Sequence, residues 1–364
     1  MTRSALGMST LPGRYFVDTA VFQQEWKRIF YRNWLCLGRE AQIREPGQFV
    51  TVQAGEENLI LVRDEAGEAR AFYNVCRHRG TQICQGAGQV SRSLQCPYHA
   101  WTYGLDGRLL GAPTMQDVPD FDREQYPLKS VATAVWEGFL FVNLAAEPEP
   151  FAQAYAPILR KFSQWQMSRL EQTRQIIYDV AANWKIIFHN YSECYHCPGV
   201  HPRLNELTPY RNASNDLDEG AILGGPMQLA QAGSMTMSGR LCAAPLADFS
   251  GDARQLVWYY TLFPTMFLSL FPDYAMTHRL EPMAPDRTRV ICEWFFAPEA
   301  ARQSNFNPQD AIDFWDMTNR EDWQVCEWTQ AGVQSRAYTP GPYSDLESNL
   351  AAFDREYLRQ LGHL

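Results

Sequence analysis

The chain has 364 residues, which is enough for two or three domains with a large buried core. Hydrophobic residues make up 46% of the sequence and charged residues 20%, which is the composition of an ordinary globular protein. The net charge of −9 argues against nucleic acid or an anionic membrane surface as a partner.

The N-terminus, MTRSALGMSTLPGRYF, has neither the apolar core nor the small-residue cleavage site of a signal peptide. No apolar run approaches about eighteen residues, so the sequence predicts no transmembrane helix. We therefore expect a cytoplasmic protein, whose thiols stay reduced. The nine cysteines are expected to be metal ligands or buried small side chains rather than disulfide partners.

The first part of the chain predicts a helix followed by a β-rich domain. Apolar residues at helical spacing over 18–33 predict an amphipathic helix, and we assign residues 1–40 to a helical segment that packs on the C-terminal domain. Between 41 and 150, short apolar runs alternate with glycine-containing turns, including a hairpin turn at 65–69. The sequence AEPEPF at 146–151 is interpreted as a linker.

The remaining residues, 151–364, predict a mixed domain, so that the fold class of the whole chain is α+β. We expect helices near 152–168 and 183–197 and strands near 255–271 and 287–297. A long last helix begins with Asn307 as N-cap and Pro308 at its first position, and extends to about Gln334.

Two short motifs, NVCRHRG and CPYHAWTY, each combine one cysteine with one histidine. Seventeen residues separate His78 of the pair Cys76 and His78 from Cys96 of the pair Cys96 and His99. Zinc fingers usually place both cysteines in one pair and both histidines in the other, which makes zinc the weaker interpretation. One cysteine and one histidine from each loop suit a diiron cluster in which one iron binds two thiolates and the other two imidazoles.

A second candidate metal site lies in NWKIIFHNYSECYHCPGVHP. Glu193 and His196 are three residues apart and are expected to share a helix face. Pro198 and Gly199 are expected to end that helix, so that the chain can return His201 towards His196. Two histidines presented in this way match the start of a facial triad of two histidines and one carboxylate, which binds non-haem iron and leaves positions open for dioxygen.

The carboxylate of such a triad must come from another part of the chain. Glu321, Asp322 and Glu327 of the last helix are candidates, and Asp322 shares a mostly uncharged helix face with Trp315. A carboxylate on that face needs a partner to offset its desolvation, which iron would provide. Asp322 is therefore preferred, and Glu321 is the alternative.

Together these motifs resemble those of the α subunit of Rieske non-haem iron oxygenases, in the ring-hydroxylating dioxygenase superfamily. The resemblance covers nearly the whole chain and implies a Rieske [2Fe–2S] domain at 41–150 and a helix-grip (START-like) catalytic domain at 151–364. That domain has an antiparallel sheet and a long C-terminal helix. The family pattern, which also points to Asp322, implies that His196, His201 and Asp322 bind a mononuclear Fe(II).

The resemblance also implies how electrons travel. Glu193 takes the place of an acidic residue that links an iron-binding histidine to a Rieske histidine, His78 or His99, of a neighbouring subunit in a homotrimer. Asn190 takes the place of an asparagine near the iron. Dioxygen activation needs external electrons, and no G-x-G-x-x-G motif follows a strand here, so a separate NAD(P)H-dependent flavin/iron–sulfur reductase is an implied partner.

For the substrate, ECYHCPGVHP and the segment around 262–288 resemble the glycine betaine, carnitine and stachydrine oxygenase branch. A quaternary ammonium group binds to aromatic rings through cation–π attraction, and Tyr259, Phe263, Phe267 and Phe271 are the predicted pocket residues. The expected reaction is hydroxylation or oxidative N-demethylation of a betaine-like compound.

Other functions remain open at this stage. An aromatic acid, hydroxylated or O-demethylated, would need an arginine in the pocket, and the candidates are Arg203, Arg211 and Arg279. A Rieske electron carrier is a different class of function, but it would not need the second histidine motif. A binding protein that has lost its iron is the third alternative.

Overall fold

The computed structural model describes residues 8–246 and 255–363. Contacts between Cα atoms divide the chain into two compact units. One is Tyr31–Phe151, and the other combines Met1–Phe30 with Ala152–Leu364. None of the helices in the described residues is both long and apolar enough to cross a membrane.

The unit Tyr31–Phe151 is built from antiparallel strands. They are β1 (Leu35–Arg39), β2 (Gln48–Ala54), β3 (Glu57–Arg63), β4 (Ala69–Tyr73), β5 (Ala87–Gln89), β6 (Ser93–Gln95), β7 (Thr102–Gly104), β8 (Leu109–Gly111), β9 (Ser130–Trp136) and β10 (Phe139–Asn143). The larger sheet has the order β1-β10-β9-β4-β3-β2-β5, and the smaller has the order β6-β7-β8.

The hairpin between β3 and β4 shows how the local sequence directs this unit. The Asp64 carboxylate accepts hydrogen bonds from the backbone N–H groups of Ala66 and Glu68, and Gly67 has a φ of 83°. An aspartate that binds the backbone ahead of it, followed by a glycine at positive φ, is a stable turn. The predicted turn at 65–69 is confirmed.

The unit that contains the C-terminal residues has an antiparallel sheet in the order β11-β16-β15-β14-β13-β12. Its strands are β11 (Glu171–Val180), β12 (Ile222–Gln228), β13 (Leu256–Leu262), β14 (Met266–Leu270), β15 (Ala275–Ala284) and β16 (Arg287–Phe296). The strands predicted near 255–271 and 287–297 are confirmed, with a turn dividing the first into two.

The helices of the described residues are α1 (Arg14–Val17), α2 (Thr19–Arg28), α3 (Phe151–Ala154), α4 (Trp184–Tyr191), α5 (Cys197–Val200), α6 (Pro202–Leu207), α7 (Pro308–Val333) and α8 (Ser348–Leu361). Helix α7 begins at Pro308 after Asn307, as predicted. It lies against the sheet, where Asp316 accepts a hydrogen bond from the Tyr178 hydroxyl of β11 and Asn319 contacts His278 of β15. The α+β fold class is confirmed.

One predicted helix is wrong. Residues 152–168 form only the short α3 and the 3-10 turn Ser163–Trp165, followed by a second turn, Met167–Arg169. Gln166, between these turns, has a φ of 45°, a left-handed conformation that interrupts a helix. Apolar residues of this stretch, such as Phe162 and Trp165, are buried outside any α-helix.

Candidate metal centres and the adjoining cavity

The two cysteine–histidine motifs form neighbouring loops in the unit Tyr31–Phe151. Cys76 and Cys96 are buried, whereas His78 and His99 are exposed, with ring centroids 4.8 Å apart. Burial and the adjacent Cys76 raise the pKa of the Cys96 thiol, so a positive charge such as iron is needed to hold it as thiolate. Two inner sulfurs and two outer imidazoles fit a cluster with one thiolate-bound and one imidazole-bound iron.

The two loops share one backbone design. In each loop the cysteine N–H donates to the carbonyl five residues later, Thr81 or Trp101, at 2.9 and 2.8 Å. The cysteine carbonyl accepts from the N–H four residues later, Gly80 or Ala100, at 3.0 and 3.1 Å. Both of these residues have positive φ, 77° and 56°. The two loops therefore have similar backbone conformations, although the histidine follows the cysteine by two residues in one loop and by three residues in the other.

Two side chains beside the loops support this arrangement. The Tyr103 hydroxyl lies 3.3 Å from the Cys76 sulfur and accepts the N–H of Arg77 at 2.9 Å. The Trp101 ring stacks on His78, with centroids 4.9 Å apart and planes inclined by 5°. Sequence reasoning missed the role of Tyr103; its position at the end of CPYHAWTY was the available signal.

The second centre brings together His196, His201 and Asp322, whose potential ligand atoms all lie within 4.8 Å of one another. Asp322 Oδ1 is 2.7 Å from His201 Nε2 and 3.4 Å from His196 Nε2. A cluster of two imidazole nitrogens and one carboxylate oxygen, held by three elements, fits the donor set of non-haem iron(II).

Two further carboxylates orient these imidazoles. Glu193 Oε1 lies 2.6 Å from His196 Nδ1, and Glu321 Oε2 lies 2.6 Å from His201 Nδ1. In both rings Nδ1 therefore contacts a carboxylate, and Nε2 points towards Asp322. Carboxylates on the outer nitrogen fix the tautomer of metal-binding histidines. Glu321 is thus placed behind His201, and Asp322 is placed between the histidines.

The charges of this centre are strongly coupled. Burial alone lowers the pKa of His196, but hydrogen bonds with Asp322 and Glu193 outweigh burial and raise the pKa to about 10. Burial alone raises the pKa of Asp322, but hydrogen bonds from both histidines lower it to about 2. Asp322 is therefore an ionised, enclosed carboxylate, which is suited to bind a cation.

The local chain path differs from the prediction of one helix over 183–197. Helix α4 ends at Tyr191, because the Glu193 carboxylate accepts the backbone N–H groups of Tyr195 and His196 and turns the chain. Pro198 lies in the first turn of α5, where a proline starts a helix rather than ending one. His201 follows α5 and reaches His196 by this second turn.

Cys194 and Cys197 flank His196 and form a disulfide, with Cα atoms 5.0 Å apart. The expectation that no cysteine pairs is therefore wrong for these two residues. Their spacing, across the turn that leads into α5, brings the Cα atoms within the usual range for a disulfide. The other seven cysteines are buried and form no disulfide among the described residues.

A cavity adjoins the second centre and is bounded by α4, α7, α8, β12 and β13. Three aromatic rings line it, and their centroids are 6.3 Å apart for Tyr191 and Tyr259 and 6.1 Å for Tyr259 and Trp315. No lysine or arginine is present among the described residues that line it. Its polar lining residues include Asn190, Ser192, Glu193, Ser214, Asn215, Thr261, Thr318, Asp322 and Asn349.

The residues that line the cavity differ from those predicted for the substrate pocket. Tyr259 lines it, but Phe263, Phe267 and Phe271 do not. These three phenylalanines are buried behind it; Phe267 stacks on Tyr191 with centroids 4.2 Å apart. Phe267 is the cross-strand partner of Thr261 and so points to the same sheet face as Tyr259, but the ring of Tyr191 stacks on it and lines the cavity in its place. Tyr191 and Trp315 were missed because they come from α4 and α7.

The arginines considered for an aromatic acid lie elsewhere. Arg203 binds Glu206 and the Met237 carbonyl, and Arg279 is buried with Glu293 as its partner at 3.0 Å. Arg211 is exposed beside Tyr210. None of the three arginines lines the cavity.

Comparison with known proteins agrees with this geometry. Residues 33–122 match the family described as the Rieske [2Fe-2S] domain, and residues 167–363 match the ring hydroxylating alpha subunit (catalytic domain). The chain is 34% identical to the glycine betaine monooxygenase oxygenase subunit of Chromohalobacter salexigens, over 94% of this chain and 84% of the relative. It is 32% identical to the carnitine monooxygenase oxygenase subunit of Escherichia coli, over 90% and 85%.

Solved structures share the fold. The quaternary ammonium Rieske monooxygenase CntA superposes with a TM-score of 0.82 at 23% identity, over 98% of this chain and 96% of that chain. Naphthalene 1,2-dioxygenase from Rhodococcus sp. superposes with a TM-score of 0.78 at 20% identity, over 97% and 94%.

The two matched domains imply a Rieske [2Fe–2S] cluster and a mononuclear iron as the cofactors. The donor sets described above, two thiols with two imidazoles and two imidazoles with a carboxylate, fit these two groups. The relatives are monooxygenase subunits, so the chain is an oxidoreductase. The chain belongs to the ring-hydroxylating α-subunit family of Rieske oxygenases.

Proposed function

We propose that this chain is the terminal oxygenase that hydroxylates or oxidatively N-demethylates a small quaternary ammonium compound of the betaine type. The observation that carries the proposal is the cavity beside His196, His201 and Asp322. It combines three aromatic rings with the Asp322 carboxylate, and no lysine or arginine is present among its described lining residues.

The rings would hold the substrate by its positive end. A quaternary ammonium group cannot donate a hydrogen bond, but it is attracted to ring faces within about 6 Å of their centroids. Tyr191, Tyr259 and Trp315 meet near-perpendicularly, with interplanar angles of 78° and 68°, so they offer surfaces in different directions. Methyl groups held among them would lie in the same cavity as the metal-binding side chains.

Charge favours this substrate over an aromatic acid. No lysine or arginine is present among the described residues that line the cavity, so an aromatic carboxylate would find no such cation to bind there. The names of the relatives point in the same direction, since glycine betaine and carnitine are both quaternary ammonium compounds.

Within this proposal, His196, His201 and Asp322 hold the mononuclear iron, and Cys76, His78, Cys96 and His99 hold the Rieske cluster. When bound, the iron would activate dioxygen with electrons supplied through the cluster. Glu193 and Glu321 keep the outer nitrogen of each histidine occupied and so aim Nε2 at the metal position. Asn190, which lines the cavity, would contact dioxygen or substrate rather than the metal.

The proposal extends to the domains and the partners. Residues 41–150 would be the Rieske domain, 151–364 the catalytic domain, and 1–40 a helical segment of the latter. Glu193 would link His196 to a Rieske histidine of a neighbouring subunit in a homotrimer, and a separate NAD(P)H-dependent reductase would supply the electrons. Dioxygen is the co-substrate, and we propose a cytoplasmic location.

The test begins with protein purified without oxygen. We expect about three irons and two sulfides per chain, and a Rieske-type signal of low average g in the EPR spectrum of the dithionite-reduced protein. With a reductase, N-demethylation of glycine betaine or carnitine would consume dioxygen, two electrons and two protons and release formaldehyde, water and the protonated dimethylamino product.

The outcomes separate the alternatives. Turnover of an aromatic acid, with none of a betaine, would contradict the proposed substrate class. A Rieske signal with no mononuclear iron would indicate an electron carrier. Zinc without sulfide would remove the oxygenase function altogether.

A further inference from the structure

The hydroxyl of Tyr191 has a partner in the sheet behind the cavity. Tyr191 is the last residue of α4, and its ring lines the cavity beside Tyr259. Its hydroxyl lies 2.7 Å from the hydroxyl of Ser269, a residue of β14. Ser269 is fully buried and does not line the cavity, so it can affect a bound substrate only through the residues that it contacts.

The strand register places Ser269 on the side of the sheet that faces the cavity. The cross-strand partner of Ser269 in β13 is Tyr259, and that of Phe267 is Thr261. Tyr259 and Thr261 both line the cavity. Paired residues of antiparallel strands project to the same face, so Phe267 and Ser269 point to this side too, where Tyr191 contacts both of them.

These two contacts restrict the Tyr191 ring in different ways. The ring stacks on Phe267 with centroids 4.2 Å apart and planes inclined by 16°. Stacked rings can slide or turn in their plane at little cost, because many offset arrangements are similar in energy. The contact with Ser269 removes this freedom, since a hydrogen bond requires a defined distance and direction. Together they hold the ring in one place at the end of a helix.

The chemistry of the two hydroxyls favours Tyr191 as the donor. A phenol is more acidic than the hydroxyl of a serine and is therefore the better donor. Burial raises the pKa of Tyr191, so its phenol stays protonated. Donating a hydrogen bond polarises the phenol and leaves more negative charge on its oxygen and ring. A more negative ring face attracts a cation more strongly.

We propose that Ser269 is a positioning residue, which accepts the hydrogen bond of Tyr191 and so strengthens the attraction of the Tyr191 ring for a quaternary ammonium group. This inference rests on the proposed function, in which Tyr191 is one of three rings that bind the substrate. Since Ser269 does not touch the substrate, its effect depends on the charge of the bound group and not on the shape of that group.

The experiment compares glycine betaine with the anion of tert-butylacetic acid, which has the same shape and carboxylate but a neutral carbon in place of the nitrogen. Both compounds are soluble enough for weak binding to be measured. Calorimetry on anaerobic holoenzyme would give the dissociation constants for wild type, Ser269→Ala, Tyr191→Phe and the double variant.

The matched control is Thr277→Val, in the neighbouring strand β15. It also removes a fully buried hydroxyl, but one that has no hydrogen-bond partner among the described residues and that does not line the cavity. A change that only loosens the sheet should weaken both ligands alike and leave the ratio of their dissociation constants unchanged.

Wild type should bind glycine betaine more tightly than its neutral isostere. In Ser269→Ala we expect the ratio of the two dissociation constants, isostere over glycine betaine, to fall by about threefold or more, which is part of the effect of one cation–π contact. Tyr191→Phe should lower the ratio similarly, and the double variant should lower it no further, because both changes remove the same hydrogen bond. Thr277→Val should keep the ratio within about twofold of wild type.

A ratio in Ser269→Ala within about twofold of wild type would overturn this inference and leave the proposed function intact. Effects of the two single changes that add in the double variant would overturn it as well, since Ser269 would then act independently of Tyr191. Wild type that binds the isostere as tightly as glycine betaine, or that binds neither, would contradict the proposed binding of ammonium by the rings and this inference with it. If Ser269→Ala does not fold, Ser269→Cys, whose sulfur is a weak acceptor, decides by the same ratio.

Discussion

At the scale of single residues, adjacent carboxylates of one helix have different positions. Asp322 lies between the two histidines, whereas Glu321 contacts only the outer nitrogen of His201. Successive residues of a helix point about 100° apart, so one helix can supply both a metal ligand and the group behind another ligand. The sequence left this choice open because both side chains are acidic and adjacent.

We expect Asp322→Ala to lose the mononuclear iron and to keep the Rieske EPR signal, so that iron falls from about three to about two per chain. Glu321→Gln should keep a hydrogen-bonding group behind His201 and weaken iron binding by about 10- to 100-fold. Iron content after dialysis against a graded chelator series measures both effects. Loss of iron from Glu321→Gln with full retention in Asp322→Ala would reverse the two assignments.

Aromatic residues of the cavity were the hardest to predict. Tyr259 was found because it belongs to an aromatic run, VWYYTLF, but the residues directly beside it, Trp258 and Tyr260, do not line the cavity. Tyr191 and Trp315 belong to α4 and α7, which also carry buried aromatic residues such as Phe188 and Phe314, so an aromatic residue there usually indicates core packing. Only the three-dimensional arrangement brings the three rings to one cavity.

At the scale of elements, the buried carboxylate of Glu25 connects the N-terminal helix α2 to two other helices of its unit. Glu25 is fully buried and accepts hydrogen bonds from Trp184 Nε1 at 2.8 Å, Lys185 Nζ at 2.6 Å and the Tyr357 hydroxyl at 2.7 Å. These partners come from α4 and α8, so a single side chain joins three helices. Lys185 is also fully buried, and burial lowers its pKa.

We expect Glu25→Leu to lower the free energy of unfolding by about 3–5 kcal/mol, because it leaves the Lys185 ammonium buried without its counter-ion. The double variant Glu25→Leu with Lys185→Met should recover much of this loss, since no buried charge remains. Urea denaturation of the wild type and of both variants measures the effect. A double variant no more stable than Glu25→Leu would mean that the hydrogen bonds of Glu25, rather than its charge, stabilise the junction.

Local sequence features explain why helix α7 was predicted correctly and the helix over 183–197 was not. Helix α7 was predicted because Asn307 and Pro308 mark its start and its buried residues recur at helical spacing. The region 183–197 was mispredicted because a side chain, Glu193, binds backbone groups and because Pro198 begins a turn of helix. Proline has opposite meanings at the first and at the middle positions of a helix, and the sequence alone did not distinguish them.

At the scale of the whole molecule, the motifs allowed the fold class to be predicted more fully than the topology. Glycine-separated strands preceding a mixed region indicate a β-rich unit and an α+β unit, because local patterns carry that information. The strand order β11-β16-β15-β14-β13-β12 brings the sixth strand beside the first, a pairing of residues more than a hundred positions apart. Such distant pairings leave no local signal.

If electrons pass between subunits, as proposed, two chains that are defective at different sites should restore each other's turnover. Glu193→Ala removes the group on His196 Nδ1 but leaves the cluster ligands intact, and His99→Ala removes a cluster ligand but leaves Glu193 and the iron ligands intact. Each variant alone should lose turnover by about tenfold or more, or ~1.4 kcal/mol or more of barrier. Glu206→Ala, at an exposed acid paired with Arg203, is the control and should turn over normally.

Co-expression with two different tags and sequential purification would isolate trimers that contain both chains. If electrons pass between subunits, a cluster in a Glu193→Ala chain can serve the intact iron site of a neighbouring His99→Ala chain, and the mixed trimers regain turnover. If electrons pass within one chain, every chain in the mixture carries a defect in its own path and activity stays lost. EPR of the mixed trimers, which should show a Rieske signal from the Glu193→Ala chains alone, ensures that a negative result reflects the path of electrons and not loss of the cluster.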